Sequence, residues 1–201
     1  VGYDALRNNI DGDSNVAIGH KALEDYDGAD GEGGNVAVGT SSGLNITTGQ
    51  FNTTLGHQAG DALTTGSRNT IIGVAAAASA VDVSNEITLG DSNITALRCQ
   101  VTSISSLSDK RDKKDIKDST YGLDFVDSLK PVTFEWNQRD GNRLGVKDVG
   151  FIAQDLQEVD DEYTRLVYES NPEKIEATYS RLIPIMAKEI QELSAEVKKK
   201  K

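Results

Sequence analysis

The chain has 201 residues, of which 26% are charged, and a formal net charge of −11. Nothing in that balance makes the basic face a nucleic-acid partner needs, and no apolar run approaches the roughly 20 residues of a membrane span. Cys99 is the only cysteine, which excludes an internal disulfide framework, and no signal peptide is visible.

The acidity is uneven: residues 1–107 carry 12 Asp/Glu against 4 Lys/Arg, and the remaining 94 carry 20 against 17. Val1 opens inside a repeating pattern without a methionine, so the chain is read as the C-terminal piece of something longer.

Glycines recur at Gly2, Gly19, Gly39, Gly56, Gly73 and Gly90, at intervals of 17, 20, 17, 17 and 17. Four close the pattern Asn-x-x-(apolar)-Gly, beginning at Asn15, Asn35, Asn52 and Asn69, and Asn85 to Gly90 reads as a version one residue longer. Ala5, Ala22, Ser42, Ala59 and Ala76 each follow a glycine by three residues. A fixed period of this kind predicts short β-strands joined by Gly/Asn turns and stacked along an axis. Each unit offers only two or three apolar side chains, and residues 1–107 hold one Phe (Phe51) and two Tyr (Tyr3, Tyr26). So thin a repeat predicts a trimeric stalk, a β-roll or interleaved β-prism, in which the small residues let chains approach closely.

The insertion Asp25 to Glu32 and the run Asp11 to Asn15 are acidic enough to suggest calcium, but position twelve counted from Asp11 is Ala22 rather than Glu. Solvated acidic loops are the preferred reading. His20 and His57 both follow a repeat glycine and are read as surface turn positions. No metal and no cofactor is expected.

At the junction of the halves stands Leu107-Ser108-Asp109-Lys110-Arg111-Asp112-Lys113. Ser108 is a candidate nucleophile and Lys113 a candidate amine base; the bland alternative is a solvated charged linker. A serine hydroxyl attacks poorly until a base takes its proton, and a lysine serves only when neutral. Bringing an ordinary lysine from about 10.4 to about 7–8 destabilises its ammonium by roughly 4 kcal/mol. Burial and the neighbouring Lys110, Arg111 and Lys114 act in that direction, whereas Asp109, Asp112 and Asp115 oppose it, so burial has to dominate.

Beyond Tyr121 the texture is globular α+β. Leu123, Val126 and Leu129 predict a short helix stopped by Lys130-Pro131, and Val132 to Trp136 alternates as a half-buried strand. Asp140-Gly141 signals a hairpin. Val149 to Ala153 predicts a strand leading into a helix at Gln154 to Glu158, with further short strands at Arg165 to Tyr168 and Lys174 to Ala177. Tyr179, Ile183, Met186, Ile190, Leu193 and Val197 make an a/d seam, predicting a long helix with Ser180 as N-cap and Pro184 near its start. The seam either docks on its own domain or forms a parallel three-stranded coiled coil, the preferred reading. The closing Lys198 to Lys201 run suits a helix C-terminus.

Ser108-Asp-x-Arg111-x-Lys113-Lys-Asp-Ile116, Leu129-Lys-Pro-Val-Thr-Phe-Glu-Trp136, Gly150-Phe-Ile-Ala-Gln154 and Tyr179-Ser-x-Leu-Ile-Pro184 together resemble the endosialidase-type intramolecular chaperones of phage tailspikes and tail fibres. The upstream repeats more loosely resemble phage fibre shafts and trimeric bacterial adhesin heads. The resemblance implies a fibre shaft at 1–107 and a chaperone/autoprotease domain at 108–201 that assists homotrimer assembly and then leaves. It implies cleavage between Leu107 and Ser108, with Ser108 and Lys113 as catalytic dyad and Asp109 and Arg111 as supporting motif residues. It further implies a virion location, release of the chaperone in the host cytoplasm, and a host receptor or glycan met by the mature fibre. The alternative is a purely structural trimeric adhesin or fibre tip that is never cut. A membrane-bound transcription factor shares the family but would need a basic region and a membrane span, and neither is in this chain.

Overall fold

A 17-residue period with one three-residue strand per period leaves the backbone one way to satisfy its polar groups, which is to pair each turn with the next. In the computed structural model, which describes residues 1–101 and 103–200, the first half does this. Strands β1 (Val16–Ile18), β2 (Val36–Val38), β3 (Thr53–Leu55), β4 (Thr70–Ile72) and β5 (Ile87–Leu89) form a parallel sheet in chain order. Register is unbroken, with Ala17 beside Ala37, Thr54, Ile71 and Thr88 in turn. Backbone bonds continue around the turns: Leu23 N–H donates to Ser42, Gly43 to Ala59 and Gly60 to Ala76. The result is a β-solenoid-like repeat.

Each coil is tight because several of its residues have positive φ. After Gly39 (φ 134) come Ser41 (φ 57) and Gly43 (φ 60), and Phe51 (φ 57) precedes the next strand. At Gly39 the next coil also demands glycine: a Cβ would lie 2.3 Å from the Gly56 carbonyl oxygen.

The tight coil also explains a departure from expectation. The repeat buries a core within one chain: Ala17, Ala22, Leu23, Tyr26, Ala37, Ile46, Ala59, Leu63, Ile71 and Ala76 form a single cluster. Ala22, Ser42, Ala59 and Ala76 are wholly buried inside their own coil, so they do not serve the close approach of separate chains. Small residues stacked with a few larger ones, Leu23, Ile46, Leu63 and Ile71, fill the interior, which is why so thin a repeat suffices. The acidic insertion also contributes to this core, because Tyr26 is fully buried and that burial pushes its phenol pKa up. The strand flanks face outward instead, with Val16, Ile18, Leu55, Ile72, Ile87 and Leu89 exposed.

Compactness divides the chain into Val1–Thr95 and Ala96–Lys201. In the second unit, α1 (Leu123–Ser128) ends where Lys130-Pro131 was expected to stop it. Strands β6 (Val132–Glu135) and β7 (Lys147–Gly150) pair antiparallel across a loop with a turn at Gly141. α2 (Ala153–Gln157) follows, and β8 (Val167–Tyr168) pairs antiparallel with β9 (Glu176–Ala177). α3 spans Leu182–Lys199. Leu156, Leu166, Leu182 and Ile185 are the buried centre, with Phe125, Val126 and Phe151 packed against them. Tyr121 donates its hydroxyl hydrogen to Asp161, which holds that carboxyl down at about 2 and the phenol up at about 12.

α3 corrects two details. Ser180 does not cap it: Tyr179–Arg181 is a 3-10 turn, and the residue before α3, Arg181, makes no side-chain cap. Tyr179 therefore precedes the seam, and its hydroxyl accepts the Phe151 N–H at 3.2 Å. Pro184 is the third helical residue, where a missing N–H costs no intrahelical bond. Of the lysine run, Lys201 lies outside the described residues, as does Thr102 of the expected shaft.

Candidate self-cleavage site

Between Ala96 and Ser108 the described residues have no regular secondary structure, and their apolar side chains stand in solvent, Leu107 at 84% exposure. Directly after Ser108 the backbone turns. Asp109 takes an extended conformation (φ −66, ψ 137), and Lys110–Asp112 form one 3-10 turn. The Asp112 N–H donates to the Asp109 carbonyl and the Lys113 N–H to the Lys110 carbonyl, both at 3.2 Å. Lys113 then leaves the turn extended (φ −124, ψ 142).

This hairpin brings together the two groups picked out in the sequence: Lys113 Nζ donates to Ser108 Oγ at 2.6 Å. Both residues are exposed. The distance suits proton transfer between them, which requires the amine to be neutral and the hydroxyl to become the donor. Among the described residues no ion pair involves Lys113, Lys110, Asp112, Lys114 or Asp115.

Asp109 and Arg111 are paired closely. The Asp109 carboxylate accepts the Arg111 backbone N–H at 2.8 Å, Nε–H at 3.1 and 3.2 Å, and Nη2–H at 2.7 Å. The guanidinium's hydrogen bonds, and after them the backbone one, lower the Asp109 pKa, and the same contact raises that of Arg111. The sequence grouped these two as motif companions without seeing this role; an Asp just before a turn is the cap signal that reveals it.

Elsewhere, His20 is exposed and stacks on Tyr3 with ring centroids 5.7 Å apart, and His57 is exposed on its own turn. Among the described residues no group of three or more His, Cys, Asp or Glu is disposed to hold a metal ion.

A β-solenoid-like repeat is thus followed by an α+β unit, with a serine and a lysine in contact in the segment between the repeat and the second unit's first α-helix. Residues 108–167 match the family model described as chaperone of endosialidase, a family named as peptidases, so this segment is similar to the endosialidase-type intramolecular chaperones. The match begins on Ser108 and takes in the first three sequence blocks quoted above; Tyr179 to Pro184 lies beyond it. No curated protein and no solved structure matches the chain.

Proposed function

We propose that the chain is the C-terminal part of a phage tail fibre or tailspike whose residues 108–201 drive homotrimer assembly and then sever themselves from the shaft, 1–107. The observation that carries this reading is the 2.6 Å contact between Lys113 Nζ and Ser108 Oγ on the first residue of the family match. The chaperone family supports the assembly role, and the solenoid repeat suits a fibre shaft.

The position of Ser108 dictates the chemistry. Its Oγ attacks the Leu107 carbonyl carbon while its proton passes to neutral Lys113. The tetrahedral intermediate then loses the C–N bond, and the departing Ser108 nitrogen takes a proton to become a free amine. An ester joins the Leu107 acyl group to Ser108 Oγ until water hydrolyses it, leaving a Leu107 carboxylate and a regenerated hydroxyl. The enzyme turns over once.

In a single chain the amine stands in solvent. Assembly of three chains supplies the missing burial, so cutting reports correct folding. The mature fibre stays with the virion and meets a host receptor or glycan, and the chaperone is left in the host cytoplasm. The exposure of the dyad in one chain favours the second reading, a structural trimeric adhesin or fibre tip that remains whole.

Intact mass of freshly expressed protein separates the two. Wild type yields fragments 1–107 and 108–201, whereas Ser108→Ala and Lys113→Ala each remain one species of 201 residues. A normally cut Ser108→Ala or Lys113→Ala defeats the dyad; an uncut wild type leaves the structural reading standing.

A further inference from the structure

Residues five apart on an extended strand sit roughly 16 Å from one another, with side chains on opposite faces. Ser108 and Lys113 meet only because the backbone doubles back between them. The turn that achieves this buries no residue, and no helix or strand of the second unit packs against it among the described residues. A 3-10 turn of three residues has too few bonds to persist unaided. Its support is local, and it comes from Asp109, the one side chain that caps it.

Arg111 completes the arrangement. Its guanidinium holds both oxygens of that carboxylate, fixing the cap's orientation. The same pairing occupies the negative charge nearest in sequence to the nucleophile. Among the described residues, Lys113 is left with Ser108 Oγ as a partner and no carboxylate.

We infer that Asp109 is a positioning residue for the cleavage: clamped by Arg111, it folds the chain so that the Lys113 amine reaches Ser108 Oγ, and it is kept from pairing with that amine. This rests on the self-cleavage reading. Arg111 acts one step further back, as keeper of the cap. The remaining charges on the segment, Lys110, Asp112, Lys114 and Asp115, are exposed, and the test leaves them unchanged.

The experiment follows the first-order conversion of the full chain into its two fragments by intact mass across a pH series, with oligomeric state measured in parallel. Asp109→Ala cuts about tenfold more slowly at every pH, the order of a lost N-cap. Asp109→Asn, which retains a capping oxygen, recovers most of that rate. Arg111→Ala frees the Asp109 carboxylate to hold Lys113 as an ammonium, so its rate profile moves to higher pH. Adding Asp109→Asn to Arg111→Ala removes that charge and returns the midpoint toward wild type. A purely structural role slows cutting without moving the midpoint. Cutting by Asp109→Ala at the wild-type rate, or an unmoved midpoint in Arg111→Ala, overturns the positioning role while the dyad stands. An uncut wild type overturns both.

Discussion

Asparagine does more in the repeat than fill a turn. Asn15, Asn35, Asn52 and Asn69 occupy the same place in successive coils, each just before its strand, and the last three are buried. The Asn52 side chain donates to the Asn35 Oδ1 at 3.1 Å and to the Gly66 carbonyl at 2.9 Å. Its own Oδ1 accepts the backbone and side-chain N–H groups of Asn69 at 2.9 and 3.0 Å. Glu86 ends the ladder: its backbone N–H donates to Asn69 Oδ1, and its carboxylate accepts Ser79 N–H and the Ser79 and Thr88 hydroxyls. Asn85, read in the sequence as the start of a longer unit, instead takes the positive-φ place before it (φ 64). Buried polar groups stripped of partners cost about 1–3 kcal/mol each. Asn52→Ala is therefore expected to destabilise the first unit by about 3 kcal/mol, and Asn15→Ala, at the half-buried end, by about 1 kcal/mol. Calorimetric melting of the uncut Ser108→Ala chain measures both; equal shifts for the two variants count against a cooperative ladder.

At the scale of elements, α3 carries two apolar faces. Leu182 and Ile185 are buried in the second unit's core, and further along the helix Glu192 accepts the Leu123 N–H at 2.9 Å, tying α3 to the start of α1. Ile183, Met186, Ile190, Leu193 and Val197 make up the other face and are exposed, Ile190 at 63%. These are the a/d positions anticipated from sequence. They do not dock on their own domain, and the residues that do dock occupy the neighbouring stripe. The sequence made the seam legible but hid the docked face, because a two-residue stripe of Leu182 and Ile185 has no periodicity of its own. An open seam of this length costs apolar exposure unless other copies cover it. Ile190→Asp with Leu193→Asp is expected to leave helix content intact while reducing the proposed trimer to monomer. Ile185→Asp is expected to unfold the second unit, because it places an unpaired carboxylate in the core. Light scattering with circular dichroism distinguishes them, and a trimer that persists in the first variant removes the seam from the interface.

For the whole molecule, the proposed function couples assembly and cutting through one amine. Solvent surrounds Lys113 in the single chain, and desolvation is the strongest means of neutralising a lysine. Cleavage is therefore expected to follow trimer formation. Its rate should rise with protein concentration during refolding and fall at least tenfold in the Ile190→Asp, Leu193→Asp variant. A monomeric variant that cuts at full rate would abolish the gating while leaving the dyad intact.

Period, strand placement and the α+β succession could be read from the residues, because each rests on short-range spacing, whereas Ser108 and Lys113 were singled out by their side-chain chemistry and the family resemblance. The path of each coil was not readable. Positive φ at Ser41, Phe51 and their equivalents closes the repeat on itself, and non-glycine residues give no composition signal for that. The same limit hid the ladder, since asparagine is common in turns and only coil-to-coil register turns a repeated Asn into a buried column. Sequence spacing alone determined which residues recur and which side chains stand at the junction. Tertiary structure decided which side of each residue faces inward, because that depends on backbone dihedrals fixed jointly by neighbouring coils.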